Sequence, residues 1–223
     1  MAGDAERQFV WDLPTRIFHW VLVILLGFSW WSAENHRLDL HFYSGITVVG
    51  LVIFRLLWGL FGTSTARFSE FVKGPGTVMS YVRPSSSSPV PVGHNPLGGW
   101  SVIVMLLVLL VQVGTGLFAT DIDGLDSGPL SHLVDFDQSR TAAEIHEISF
   151  NVLLALVILH VLAIFFYLIV KRRNLIGPMV TGFRKGAEGG VAVSVVAASP
   201  WRLLIAVIVA ALFAYGVWNG FRF

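Results

Sequence analysis

The chain has 223 residues, of which 55% are hydrophobic and only 13% charged, and its formal net charge is +1. Soluble globular domains carry about 25% charged residues, so this composition excludes a disordered chain and argues against an ordinary soluble domain. The chain contains no cysteine, which excludes disulfides, thiolate-bound iron–sulfur clusters and covalently attached haem.

Five apolar runs reach or approach the ~20 residues that a membrane-spanning helix needs. An isolated strand cannot cross lipid, and the runs lack the alternation of a barrel strand. We therefore predict an all-α membrane protein, in which a four-helix transmembrane bundle is followed by a fifth C-terminal transmembrane helix. The predicted helices occupy about residues 15–32, 42–61, 97–119, 146–170 and 199–219.

The segments between these helices complete the predicted organisation. The connection of residues 63–96 has an apolar pattern, interrupted at Gly74-Pro75-Gly76, that predicts an interfacial helix, whereas little regular structure is expected over residues 120–143. Pro14 and Pro96 suit the first turns of helices one and three, and Asn95 suits an N-cap. The predicted units are a cytoplasmic N-terminus at 1–14, the four-helix core at 15–178, a cytoplasmic tether at 179–198 and the fifth helix at 199–219.

The charged residues of the connections predict one orientation. A basic group follows the fourth span: Lys171, Arg172, Arg173, Arg184 and Lys185. An acidic group precedes it: Asp121, Asp123, Asp126, Asp135, Asp137 and Glu144. Connections rich in Lys and Arg stay in the cytoplasm, so we expect the N-terminus inside, the acidic loop outside and the C-terminus outside after five spans.

Four of the seven histidines lie within or beside the predicted spans, where an ionisable side chain is a functional candidate. His19 lies near the inside face, His41 near the outside face, His146 at the start of helix four on the outside and His160 deeper toward the inside. The other three are expected to be interfacial residues: His36, His94 and His132.

The spacing of these four histidines predicts two binding sites. His146 and His160 are fourteen residues apart, roughly 21 Å along one helix and within about 40° of one face. They are too far apart to share a metal, and His41 matches the depth of His146 as His19 matches that of His160. Two pairs at two depths are typical of two bis-imidazole haems. Zinc usually needs three or four ligands and accounts for the four residues less economically.

Three further residues fit this interpretation. Arg55 is fourteen residues after His41, and Arg16 is one turn before His19, so both could neutralise propionates of an inner haem. The alternative for Arg16 is an interaction with lipid phosphates. Gly45, four residues after His41, would let a flat ring approach the backbone, although ordinary helix packing also uses small residues.

Five segments of the chain resemble the bacterial cytochrome b561 and nickel–iron hydrogenase b-type cytochrome family. They read DLPTRIFHW at 12–20, HFYSGITVVGLVIFRLLWGLFG at 41–62, ARFSEFV at 66–72, GHNPLGGW at 93–100 and HEISFNVLLALVILH at 146–160. The resemblance covers roughly residues 9–178 and leaves the fifth helix outside it. It implies a four-helix cytochrome of the bacterial inner membrane with two b haems, whose axial ligands are His19, His41, His146 and His160.

The implied function is electron transfer between the quinone pool and a partner redox protein, and the chain would be a quinone oxidoreductase if it turns over alone. The acidic outer loop would suit a positively charged periplasmic c-type cytochrome, although its charges could equally serve only to keep an outside loop solvated. No nucleic-acid partner is expected. Two alternatives stay open: a membrane anchor that relays electrons for a hydrogenase-like subunit, and a haem-free, histidine-dependent transporter. A homodimer also stays open.

Overall fold

A computed structural model describes residues 7–83, 93–185 and 195–222. Five of its helices are long and apolar enough to cross a membrane, so the chain is a multi-pass membrane protein. The elements in chain order are β1 (Arg7–Phe9), α1 (Leu13–Glu34), α2 (Leu38–Phe61), α3 (Phe68–Phe71), α4 (Pro75–Val82), α5 (Pro96–Phe118), a 3₁₀ turn (Ser131–Leu133), α6 (Phe136–Ile169), α7 (Ile176–Thr181), β2 (Phe183–Lys185) and α8 (Pro200–Trp218). The spanning helices are α1, α2, α5, α6 and α8.

Side-chain caps begin three of the spanning helices. The Asp12 carboxylate accepts a hydrogen bond from the Thr15 amide at 2.8 Å, and the Asn95 side chain accepts one from the Gly98 amide at 2.6 Å. Prolines occupy the first turns of α1 and α5, as predicted. At α6, Asp135 and Gln138 form a reciprocal capping box, which pairs amides that would otherwise lack partners.

This capping box makes the fourth spanning helix longer than predicted. The helix begins at Phe136 rather than His146, so His146 is its eleventh residue and the expectation that it opens the helix is wrong. At 34 residues, α6 is about 51 Å long and exceeds the ~30 Å hydrocarbon core. The preceding connection is also more ordered than expected, because it contains the 3₁₀ turn and a bridge between Thr120 and Ser127.

The predicted tether begins as ordered structure. Helix α7 ends at Thr181, and β2 then pairs antiparallel with β1, with Phe9 opposite Phe183. The Trp11 amide extends this contact by donating to the Gly182 carbonyl at 3.2 Å. The small sheet is an addition to the all-α prediction, and it ties the start of α1 to the end of α6. Residues 186–194 of the predicted tether lie outside the described residues.

Four of the spanning helices pack as two hairpins, α1 with α2 and α5 with α6. Val48 and Val52 of α2 meet Leu109 of α5 and Leu153 of α6 in a buried apolar cluster that joins the hairpins. The fifth helix packs antiparallel on α2, because its Arg202 end lies by Phe61 and its Trp218 end lies by Tyr43. Most outward side chains are apolar and exposed, as lipid contact requires.

Asp12 joins three parts of the fold at the end of the bundle that is predicted to lie inside, which is called the inner end below. Besides capping α1, its buried carboxylate accepts hydrogen bonds from the Trp58 indole at 2.8 Å and the Thr63 hydroxyl at 2.7 Å. These contacts fix the end of α2 and the following turn against the start of α1.

Removal of this carboxylate should destabilise the fold. Asp12→Ala leaves two buried donors and the α1 cap without a partner, so we expect a loss of about 3 kcal/mol. Thermal unfolding in detergent, followed by circular dichroism, compares the stability of each variant with that of the unchanged chain. Asp39→Ala is the control, because Asp39 is 59% exposed and only forms a surface ion pair with Arg37, a contact worth less than about 1 kcal/mol. Equal losses in both variants would contradict the role of Asp12.

Candidate functional site

The structure brings His41 of α2 and His146 of α6 together at the end of the bundle opposite Asp12, which is the end predicted to lie outside. Their ring centres are 6.1 Å apart, and the ring planes are nearly perpendicular, at 89°. Two imidazoles on opposite sides of one metal would have their centres roughly 6 Å apart, because each metal–nitrogen bond is about 2 Å. The observed separation of the ring centres therefore matches that of two imidazoles that share one metal ion.

Each of these two rings is oriented by a backbone carbonyl of the neighbouring helix. The Nδ1 atom of His41 donates to the Ser29 carbonyl of α1 at 2.9 Å. The Nδ1 atom of His146 donates to the Gln112 carbonyl of α5 at 2.8 Å. A carbonyl only accepts, so Nδ1 carries the proton and Nε2 keeps a lone pair in both rings. This arrangement is typical of imidazoles that bind a metal through Nε2.

Three residues after each histidine, a serine forms a hydrogen bond with the residue whose carbonyl orients that histidine. The Ser44 hydroxyl is 2.5 Å from the Ser29 hydroxyl, and the Ser149 hydroxyl donates to the Gln112 side-chain oxygen at 2.5 Å. Sequence reasoning missed all four of these residues. The signal available was the repeated spacing of His and Ser at 41–44 and 146–149, although it names neither partner on the other helix.

Gln112 also contacts the free nitrogen of His146. Its buried amide nitrogen lies 3.0 Å from His146 Nε2 and can donate to the lone pair there. The contact shows that His146 Nε2 faces a polar partner inside the bundle, at the position where a metal would bind.

Glycines surround this outer pair. A Cβ on Gly116 would lie 2.7 Å from Cε1 of the His146 ring, so only glycine allows that ring to pack so closely on α5. A Cβ on Gly45 or on Gly114 would meet nothing within 4 Å. Gly45, singled out by its spacing from His41, thus borders open space.

His19 of α1 and His160 of α6 are the two histidines predicted for the inner site. His19 and His160 are near enough to interact electrostatically, and both are partly buried. The Nδ1 atom of His19 is buried and has no hydrogen-bond partner among the described residues.

The two arginines that the sequence singled out already have contacts. Arg16 donates through Nη1 to the Val180 carbonyl at 2.6 Å, while its Nε atom is buried without a partner among the described residues. Arg55 is buried, donates to the Ala66 carbonyl at 3.2 Å, and its guanidinium lies 4.8 Å from the centre of the Phe68 ring.

His94 is a further residue of the inner end that the sequence placed at the interface. Its ring packs against Trp11 at 4.6 Å and Phe71 at 4.4 Å, measured between ring centres. Burial, and then the positive charges of Arg55 and His160, lower the pKa of His94 to about 3. His94 is half-buried near His160, with its Nδ1 atom buried, because the rings that cover it come from two other segments.

A comparison with models of known protein families identifies the family of this chain. The family model of prokaryotic cytochrome b561 matches residues 10–182. The chain belongs to the prokaryotic cytochrome b561 family. Membership implies haem b binding and transmembrane electron transfer, which agrees with the resemblance found in the sequence. No curated protein and no solved structure matches the chain. Helix α8 lies outside the matched residues of this cytochrome.

The close packing of Gly116 on His146 yields a matched pair of variants. Gly116→Ala should displace the His146 ring and weaken retention of haem b, because the new methyl group would overlap Cε1. Gly114→Ala, two residues away with open space around it, should leave haem retention unchanged. The measurement is haem absorbance per chain after purification in detergent. Equal haem content in both variants would show that the ring position tolerates the methyl group.

Proposed function

We propose that this cytochrome carries electrons across the membrane through two b haems, each held between two histidines. His41 and His146 are the ligands of the outer haem, and His19 and His160 are those of the inner haem. The observation that carries the proposal is the 6.1 Å separation of the His41 and His146 rings, each oriented by a carbonyl so that Nε2 is free to bind iron. In the holoprotein, His146 Nε2 binds iron in place of the Gln112 amide.

The inner pair is proposed from its place on the same helices. His160 lies fourteen residues beyond His146 on α6, roughly 21 Å away and on nearly the same face. Leu153, midway between them, belongs to the apolar cluster that joins the two hairpins. The two levels of histidines are thus separated by a packed layer, while His19 and His160 are near each other at the inner level.

The residues around the two sites determine the chemistry that the haems would supply. A haem iron with two imidazole ligands has no open position for oxygen, so it supplies one-electron transfer. Gly45 leaves space beside the outer site for a flat ring. Arg16 and Arg55 supply positive charge at the inner end, where Arg16 would bind propionates and both charges would favour the reduced state. No group of three or more metal-binding side chains occurs in the described ranges. The metal that we propose for each pair of histidines is therefore a haem iron, which takes two axial ligands from the protein.

The proposed setting is a bacterial inner membrane with the N-terminus in the cytoplasm and the C-terminus in the periplasm. The basic residues after α6 support this orientation. A quinone or quinol is the proposed exchangeable substrate within the membrane. A periplasmic c-type cytochrome is the proposed partner at the acidic outer connection, where opposite charge would steer its approach.

A quinol assay tests whether the chain turns over without a partner subunit. We expect the purified cytochrome to be reduced by a quinol analogue, as seen in its haem absorbance. An oxidised spectrum that stays unchanged until a hydrogenase-like subunit is added would instead favour the membrane-anchor alternative.

Haem quantitation with single substitutions tests the proposed sites. A reduced-minus-oxidised spectrum of the purified chain should give two b haems per chain. His41→Ala and His146→Ala should remove the same haem, and His19→Ala and His160→Ala should remove the other, so that each variant retains about half of the haem because two of its four ligands are intact as a pair. His132→Ala, in the 3₁₀ turn, is the control and should keep both.

Two results would contradict this assignment. A colourless chain would refute the proposed function altogether. If His19→Ala spares the haem that His160→Ala removes, the inner pairing is wrong.

A further inference from the structure

Buried polar atoms without a partner occur together at the inner end of the bundle. Within residues 7–83, 93–185 and 195–222, they are Thr15 Oγ1, Arg16 Nε, His19 Nδ1, Thr65 Oγ1, Arg67 Nε and His94 Nδ1. Buried polar groups in native proteins nearly always have a hydrogen-bond partner. Their occurrence in one region indicates that a group which accepts hydrogen bonds is bound there.

Contacts around Trp11 connect these residues. The Trp11 ring packs on His94, and a Cβ on Gly93 would lie 3.6 Å from Trp11 and 3.9 Å from Thr65. On the other side, the Trp11 amide binds the Gly182 carbonyl, and a Cβ on Gly182 would lie 3.4 Å from the Arg16 guanidinium carbon. The unpartnered atoms therefore come from adjacent segments rather than from separate parts of the surface.

The local charge favours an anion. Asp12 is the buried carboxylate nearby, but its oxygens already accept from the Thr15 amide and from two side chains. Glu70 is half exposed and contacts only Nη2 of Arg67, at 3.5 Å, which leaves Nε free.

We propose that Arg16, Arg67 and His94, with the hydroxyls of Thr15 and Thr65, bind the propionate carboxylates of the inner haem. The inference rests on the proposed function, because His19 lies one turn beyond Thr15 and Arg16 on α1. Arg67 and His94 belong to connections outside the spanning helices, so they would position the haem from the membrane face. Arg55 is not in this group, since the Ala66 carbonyl and the Phe68 ring already contact its guanidinium.

Potentiometric titration of the full chain in detergent tests the positioning role. Arg67→Gln removes a positive charge beside a carboxylate, which favours the oxidised haem. We expect its midpoint potential to fall by an amount equivalent to about a tenfold change in the equilibrium, roughly 59 mV for one electron. The affected haem must be the one that His160→Ala removes, and Arg67→Lys should restore the potential.

A second test variant and a control variant check this interpretation. His94→Phe keeps a ring against Trp11 and Phe71 while it removes the nitrogen donor, so it should lower the same potential without loss of folding. Arg222→Gln changes an exposed arginine beyond α8, at the opposite end of the molecule, and should shift neither haem. Equal shifts of both haems, or no shift in Arg67→Gln, would overturn the proposal.

The source of the anion is tested with esterified haem and with defined lipids. In chains loaded with the dimethyl ester of haem b, Arg67→Gln and the unchanged chain should have the same inner potential, because no carboxylate remains to be bound. A difference that persists with the ester would overturn the proposal. So would a difference seen only in vesicles that contain phosphatidylglycerol, since the donors would then bind lipid phosphate. A chain with two haems but no effect of Arg67 refutes this inference alone, whereas a chain without haem refutes the proposed function as well.

Discussion

The structure depends on how an imidazole N–H is satisfied inside a membrane. A lone donor in hydrocarbon is unfavourable, and at the outer level each histidine donates to a helix carbonyl across its own hairpin: His41 to Ser29, and His146 to Gln112. Each contact holds a ring against the neighbouring helix and leaves the lone pair on Nε2 rather than on Nδ1. Two equivalent contacts, one in each hairpin, place the two rings opposite each other.

The other contacts of the core hold the two hairpins together and so keep these rings in position. The apolar cluster of Val48, Val52, Leu109 and Leu153 holds the hairpins together between the two levels of histidines. The polar contacts are concentrated at the ends, with the serine and glutamine contacts outside and the Asp12 junction inside. Helix α8 packs on α2, so the fifth span adds to the bundle without supplying a candidate ligand.

Much of the fold and part of the site could be predicted from the sequence. Hydropathy located the five spans, and the caps at Asn95 and the first-turn prolines followed from residue type. The start of α6 was misplaced because its capping box lies in a charged segment, where apolar content gives no signal. The packing of His94 against Trp11 and Phe71 could not be predicted, since those rings come from segments distant from it in the chain. For the same reason, spacing along one helix could nominate histidines but not the carbonyls that orient them.

The low-temperature electron paramagnetic resonance spectrum of the oxidised full chain tests the central proposal most directly. Imidazole planes at right angles leave two iron d orbitals nearly equal in energy, so a ferric haem between His41 and His146, whose planes meet at 89°, should give a strongly anisotropic low-spin signal. We predict that this signal is present in the unchanged chain and absent from both His41→Ala and His146→Ala. A purely high-spin spectrum, or an anisotropic signal that survives either substitution, would contradict the assignment of the outer haem.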